Sequence, residues 1–294
     1  MKVVNFFIIV VLLSILISCP NYNNPVDPKA EDYQGWVVLG DGEVGDPLVV
    51  FGISPENYVT TADLTPLIDW LDMDKAAEYE VQWASLEGEV SGSTINTVTD
   101  SEFQISSVLS VSDYVFWRLR AVTDEGRFSS WSDIFTFVIS PADIGDSYEG
   151  GIVFYLGYYD TGIGLVAADS DQSTGIQWYN GSYTTTGATA TGIGTGGANT
   201  TTIVANQGVG SYAAQLCEDL DLNTYTDWFL PSKYELNQMH TQKGVIGGFA
   251  DNFYWSSSEL NSSIAWDQYF VSGGQYCGGK GGLYRVRAVR AFTY

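Results

Sequence analysis

Apolar positions follow three regimes along the chain. Residues 6–17 are almost continuously apolar behind Lys2, whereas residues 44–140 carry short apolar runs that alternate with polar positions. Beyond Pro141 such runs are mixed with two stretches at helical spacing. Twelve residues span about 18 Å as a helix, short of the roughly 30 Å apolar core of a bilayer. With a lysine before it and a small residue after it, the first run reads as an export signal and not as a membrane span.

In the middle segment, residues 48–51, 67–70, 79–83, 103–105, 115–121 and 134–138 have the length and spacing of antiparallel strands. Within 115–121, Val115, Trp117, Leu119 and Ala121 alternate with Phe116, Arg118 and Arg120, which predicts one buried and one wet face. Asp124-Glu125-Gly126 supplies a turn. The last segment holds 24 of the 32 glycines. Residues 150–156 and 162–168 read as a hairpin, and residues 181–206, dominated by Thr, Gly and Ala, as a long surface loop. Residues 212–220 predict a short amphipathic helix. A second helix starts after Pro231, where Ser232 and Glu235 form a capping box and Leu236 and Met239 point inward. Residues 253–255, 265–270 and 284–292 read as strands. The expected class is mainly β with two short helices.

Charge and cysteine usage narrow the chemistry. Lys and Arg number 12 against 35 Asp and Glu, a net charge of −23, and no basic tract compensates, so no nucleic acid is expected as a partner. One histidine, His240, and three cysteines are too few for a zinc, haem or iron–sulfur site. Residues 19–43 are polar, lack apolar periodicity and contain Pro25 and Pro28, which suits a flexible tether.

Leu16-Ile17-Ser18-Cys19 resembles the lipobox of bacterial lipoproteins. That resemblance implies lipidation of Cys19, removal of residues 1–18, and a protein exported and anchored to the cell envelope, at the outer membrane or cell surface. Pro20 stands where inner-membrane retention would call for Asp. Cys217 and Cys277 then form an even pair in an oxidising compartment, open to a disulfide or to two buried free thiols.

Residues 44–140 resemble a fibronectin type III β-sandwich through Asp69-Trp70, Tyr79-Glu80-Val81-Gln82, and Trp117-Arg118-Leu119-Arg120-Ala121-Val122 leading to Trp131-Ser132-Asp133. Where that family places a tyrosine two residues before Trp117, this chain has Val115, with Tyr114 adjacent. Residues 141–294 resemble the Lcl C-terminal domain family, named for a bacterial collagen-like surface adhesin. The motifs are Gly175-Ile176-Gln177-Trp178, Asp227-Trp228-Phe229-Leu230-Pro231-Ser232-Lys233-Tyr234-Glu235-Leu236, Tyr254-Trp255-Ser256-Ser257-Ser258-Glu259, and Arg285-Val286-Arg287-Ala288-Val289-Arg290-Ala291-Phe292. The resemblance implies a C-type lectin-like α+β domain with two helices, a twisted sheet, paired first and last strands, and surface binding as its use.

Candidate chemistry is weighed against structural roles. Ser256, Ser257 and Ser258 with His240 and Asp227 or Asp267 have the residue types of a hydrolase triad, but no G-x-S-x-G elbow accompanies them, so no catalytic residue is assigned. Asp169-Ser170-Asp171 offers hard oxygens for calcium without a preorganised loop, so neither a metal nor another cofactor is assigned. Arg285, Arg287 and Arg290 either clamp acidic sugar groups or pair with internal carboxylates such as Glu235 and Glu259. Trp178, Trp228, Trp255 and Trp266 divide between core and sugar platform, at least two being core, and Tyr276 and Tyr284 suit an exposed aromatic rim. The candidate ligand residues are therefore Trp255, Trp266, Tyr276, Tyr284, Arg285 and Arg287. The expected function is non-enzymatic adhesion to an extracellular polymer, a glycan, through the last domain. The alternative is a structural envelope protein that contacts other surface proteins and binds no sugar.

Overall fold

The computed structural model describes residues 59–73, 76–157 and 162–294. The expected signal peptide, Cys19, the tether and the strand at 48–51 lie outside the described residues. Among the described residues, no helix is long and apolar enough to cross a membrane. The protein is mainly β, with few short helices.

The first group of strands comprises β1 (Val59–Thr61), β2 (Leu67–Asp69), β3 (Glu78–Ala84), β4 (Asn96–Val98), β5 (Glu102–Gln104), β6 (Tyr114–Val122) and β7 (Phe135–Ile139). One sheet has the order β1-β7-β6-β3-β4, in which only the β1–β7 pairing is parallel, and β2 and β5 form a second ladder. Alternation along β6 does what the sequence predicts: Val115, Trp117 and Leu119 are fully buried. They join Ile68, Trp70, Tyr79, Val81, Ile105, Phe137 and Ile139 in one core. Trp70 meets Tyr79 edge-on at 5.2 Å, and the Tyr79 hydroxyl accepts from the Met73 amide at 2.9 Å. On the wet face, Arg118 and Arg120 lie over the Trp131 ring, and Arg120 reaches Glu80 across the ladder at 2.6 Å. Val115 fills the buried position, while Tyr114 stacks with Phe116. Gly126, at φ +73°, closes the expected turn through its amide on Thr123 O.

The C-terminal segment contains β8 (Ser147–Tyr148), β9 (Gly151–Leu156), β10 (Ile163–Ala167), β11 (Ser173–Ile176), α1 (Gly196–Gln207), α2 (Ala213–Glu218), α3 (Lys233–Thr241), α4 (Lys243–Ile246), β12 (Phe253–Glu259), β13 (Ile264–Tyr269), β14 (Gln275–Gly279), β15 (Tyr284–Val286) and β16 (Val289–Thr293). One sheet runs β16-β10-β9-β8 and the other β11-β15-β12-β13-β14, with β12 and β15 parallel. The expected hairpin is β9 and β10. The final strand pairs with β10, the second arm of that hairpin.

Three expectations need correction. The tract read as a loop holds α1, whose Asn199, Thr200 and Ile203 are buried. Its sequence, rich in Gly, Thr and Asn, has little intrinsic helicity. Side-chain bonds to other segments hold it: Asn199 donates to Ala190 O at 2.7 Å, and the Thr200 hydroxyl accepts from the Leu230 amide at 3.0 Å. Among the described residues of the C-terminal segment, four α-helical segments therefore stand where two were expected. The run at 284–292 is also two strands in different sheets, because the chain crosses over at Arg287 and Ala288 to seat the Arg287 side chain inside.

Two buried carboxylates fasten the loop before α1. Glu259, at the end of β12, accepts from the amides of Thr186 and Gly187 at 2.9 Å and pairs with the Lys280 ammonium; neither side chain is exposed to solvent. Lys280 also donates to Thr184 O at 2.9 Å and lies 4.4 Å from the Trp178 ring centre. Burial alone would raise the Glu259 pKa, but Lys280 and the two amides outweigh it and hold it below the usual range. Glu235 completes the capping box with Ser232 and accepts from the amides of Gly194 and Gly196.

Replacing Lys280 by Met leaves Glu259 charged without its counter-ion, and a loss of about 3–5 kcal/mol is expected in chemical denaturation. A Cβ at Gly196 would overlap Glu235 Oε2 and lie 2.9 Å from Leu230 O. Gly196→Ala should therefore cost roughly 2 kcal/mol, where an exposed helical Gly→Ala would stabilise.

Candidate functional site

Four neighbouring strands, β15, β12, β13 and β14, bring aromatic residues to one face of the second sheet. Side chains directly opposite each other on paired strands share a face. The register sets Phe253 against Tyr269, Trp255 against Asp267, Asp267 against Tyr276, and Ala265 against Gly278. Phe253 stacks on Tyr269 at 4.7 Å and on Tyr284 at 5.2 Å, and meets Tyr276 edge-on at 5.9 Å. Trp255 packs on Tyr284 at 4.3 Å. At the inner end of this face, Trp255, Ala265 and Val286 enter the core beneath α1 and α2. At the outer end, Phe253, Tyr269 and Tyr284 are half-buried and Tyr276 is 49% exposed. The result is a row of rings across four strands that ends at the edge strand β14.

Asp267 lies at the centre of this face, between Trp255 and Tyr276 in register. It is 2% exposed, and neither carboxylate oxygen makes a hydrogen bond of ordinary geometry. A Cβ built on Gly278 would stand 2.5 Å from Asp267 Oδ2, 2.7 Å from Tyr284 Cε2 and 3.1 Å from Trp255 Cη2. Glycine there lets the carboxylate and the edges of both rings pack directly against the β14 backbone, where a side chain would not fit. Burial pushes the Asp267 pKa up to about 7, with the nearby Gly278 amide opposing weakly. Burial, and then the charge of Asp267, raise the Tyr284 phenol.

The other expected site residues take structural positions. All four tryptophans are buried: Trp178, Trp228 and Trp255 are at most 1% exposed and Trp266 is 7% exposed. Trp266 occupies the opposite sheet face, with the Lys233 ammonium 3.5 Å from its ring centre. The available rings are thus tyrosines, not the indoles Trp255 and Trp266. Arg285 and Arg287 both pair with Asp171, at 2.8 and 2.7 Å, and Arg290 pairs with Glu149 and Asp227. Internal pairing holds as a role, but the partners are not Glu235 and Glu259. Arg287, fully enclosed, also donates to Ala168 O and Gly248 O. Asp171 further accepts from the Tyr254 hydroxyl at 2.9 Å, so the carboxylate considered for calcium is occupied by side chains.

Ser256, Ser257 and Ser258 are buried, and the hydroxyls of Ser256 and Ser258 donate to Trp266 O and Ala190 O. The ring of His240 packs on Phe270 and Lys243, which brings it to none of the three serines. Cys217 is a free thiol in the core, raised in pKa by burial, so the Cys217–Cys277 disulfide is not formed. Cys277 lies on β14 opposite Trp266. Asp267 was not singled out as a binding residue by the sequence. Its signal is a carboxylate in phase with Ala265 and Tyr269, on the apolar side of a strand.

Asp267 links folding to pH with a definite sign. Its folded pKa of about 7 exceeds the unfolded value near 3.8, so the native state binds the proton more tightly. The group costs nothing below the unfolded value, and its penalty grows as pH rises through 4–7. Asp267→Asn should match the parent near pH 4 and exceed it at pH 8 by on the order of 3 kcal/mol in denaturant titrations.

Comparison with curated proteins finds no match for the chain. Among solved structures, an α-L-rhamnosidase from Dictyoglumus thermophilum is 15% identical over 33% of this chain and 12% of its own, at a TM-score of 0.28. The chain therefore spans about an eighth of that enzyme. An Fn3-like protein from Clostridium thermocellum is 17% identical over 33% of this chain and 97% of its own, at 0.25. A β-1,2-glucanase from Parabacteroides distasonis is 14% identical over 35% and 14%, at 0.22. None of these scores is high enough for a shared fold to follow. Residues 168–290, which carry the aromatic face and the arginine pairs, match the family model of the Lcl C-terminal domain.

Proposed function

We propose that this chain is a non-enzymatic surface protein whose C-terminal domain binds an extracellular glycan through the aromatic face of β12–β15. The observation that carries this reading is the row Tyr284, Phe253, Tyr269 and Tyr276, one ring from each of four adjacent strands. Sugars present flat C–H faces that stack on such rings, and tyrosine adds a hydroxyl at the wet end. The match of residues 168–290 to the Lcl C-terminal domain supports a surface role of the adhesion type. A lectin-like use of the fold is consistent with binding at a sheet face and not in a deep cleft. A non-enzymatic role is supported by the burial of the serine run, whose Ser256 and Ser258 hydroxyls donate to backbone carbonyls. The strongly negative charge argues against nucleic acid as a partner.

The rest of the chain serves presentation. In this reading Cys19 carries the lipid that anchors the protein to the envelope membrane, residues 19–43 form the tether, and residues 44–140 are a fibronectin-like spacer holding the domain of residues 141–294 outward. No metal or other cofactor enters the proposal.

Tyr276 offers the cleanest test, because half of it is exposed and its loss should disturb folding by less than about 0.5 kcal/mol. On a glycan array, the parent should bind at least one sugar class. Tyr276→Ala should weaken that binding about fivefold, the equivalent of one aromatic contact near 1 kcal/mol. Silence of the parent across neutral, acidic and sulfated glycans would defeat the proposal. The anchor is tested separately: labelled palmitate should enter the parent in bacterial cells and not Cys19→Ala, and a soluble, unlabelled parent would refute it.

A further inference from the structure

Exposed rings continue beyond β15. Tyr179 and Tyr183, in the loop that follows β11, stack with ring centres 4.7 Å apart and planes 19° from parallel. Tyr179 packs against the core, whereas Tyr183 is 58% exposed, so the outer ring of the pair meets solvent. Both are held by their neighbours in the chain. Trp178 donates its amide to Lys280 O at 2.9 Å and its indole N–H to Ser256 O at 2.8 Å, and Thr184 O accepts from the Lys280 ammonium. A ring fixed in advance loses little conformational freedom when a ligand settles on it. The turn between this pair and the aromatic row is bare. A Cβ built on Gly281 would stand 3.3 Å from the Tyr183 hydroxyl oxygen, and one on Gly282 would stand 3.1 Å from Tyr284 Cζ. Since consecutive Cα atoms are about 3.8 Å apart, those two tyrosine atoms are separated by at most about 13 Å. Gly279 and Gly281 are exposed, and a Cβ on Gly279 would meet nothing within 4 Å. The turn offers no free charge either, because the Lys280 side chain is enclosed with Glu259.

We propose that Tyr183, stacked on Tyr179, is a second ring platform that continues the aromatic row across the glycine turn, so that the site takes an uncharged polysaccharide along its length and not a single terminal sugar. This rests on the glycan reading above and names its ligand class. One sugar lies on the rings of β12–β15, the chain passes over the turn at Gly279–Gly282, where the one side chain points inward, and a later sugar lies on Tyr183. Anionic chains gain nothing by comparison. Arg285, Arg287 and Arg290 are paired internally, and ring faces carry partial negative charge.

A glycan array printed with cellulose, xylan, mannan and chitin oligomers, each as dimer and hexamer, beside heparin hexamers, tests this with the full chain. At least one neutral hexamer should bind, about tenfold or more tighter than its own dimer, because two linked contacts reinforce each other. Tyr183→Ala, whose folding is checked by its melting curve, should weaken that hexamer about fivefold and leave the dimer unchanged. Tyr183→Phe should bind as the parent does, and Tyr276→Ala should weaken dimer and hexamer alike. A dimer bound as tightly as its hexamer, a hexamer indifferent to Tyr183→Ala, or a loss shared equally by both lengths overturns the second platform while the glycan reading stands. Binding confined to heparin, to other charged chains or to terminal sugars does the same. If no glycan binds the parent at all, the glycan reading fails and takes the platform with it.

Discussion

Neither the Glu259 nor the Lys280 side chain reaches solvent, so each depends on the other and on backbone groups for the stability of its charge. The pair joins the end of β12 to the end of β14, and through the amides of Thr186 and Gly187 and the carbonyl of Thr184 it fixes a segment with few large apolar side chains. Trp178 lies against the ammonium and donates its indole N–H to Ser256 O at 2.8 Å, tying the same point to the middle of β12. A pair enclosed in this way is weak evidence of net stabilisation, since desolvation offsets most of the attraction. Its consequence is specificity of position. With the segment pinned, α1 has a place to start, and α1 in turn covers the inner half of the aromatic face, leaving the outer half uncovered.

The same principle recurs at the opposite side of the sheet. Asp171 gathers Arg285, Arg287 and the Tyr254 hydroxyl, and the Arg287 guanidinium lies 4.2 Å from the Phe249 ring centre. An arginine cluster that looks in the sequence like an anion clamp is thus paired internally, two guanidiniums on Asp171 and Arg290 on Glu149 and Asp227. What the molecule offers to solvent near β14 is aromatic, chiefly Tyr276, and the arginines are not part of it.

Legibility in the sequence tracked the range of the interactions. The Ser232–Glu235 capping box spans three residues and could be read directly, as could the alternation of Val115, Trp117 and Leu119. α1 could not, because Gly, Thr and Asn favour no helix and its support comes from Glu235, Leu230 and Ala190. The carboxylate partners of the arginines were misassigned for a similar reason: Asp171 lies more than a hundred residues from Arg285 and Arg287, and composition offers many acids to choose from. Of the site, Tyr276 and Tyr284 were legible as rim residues, whereas tryptophan identity pointed to Trp255 and Trp266, which packing encloses. Asp267 required the register that sets it opposite Trp255 and Tyr276.

The crossover at Arg287 and Ala288 also sets an order of events in time. β15 completes one sheet and β16 the other, and Arg287 plugs into carbonyls near residue 168 that were synthesised well over a hundred residues earlier. Neither sheet of the C-terminal segment is complete without residues 284–293, so the two sheets close together, in a step of high contact order.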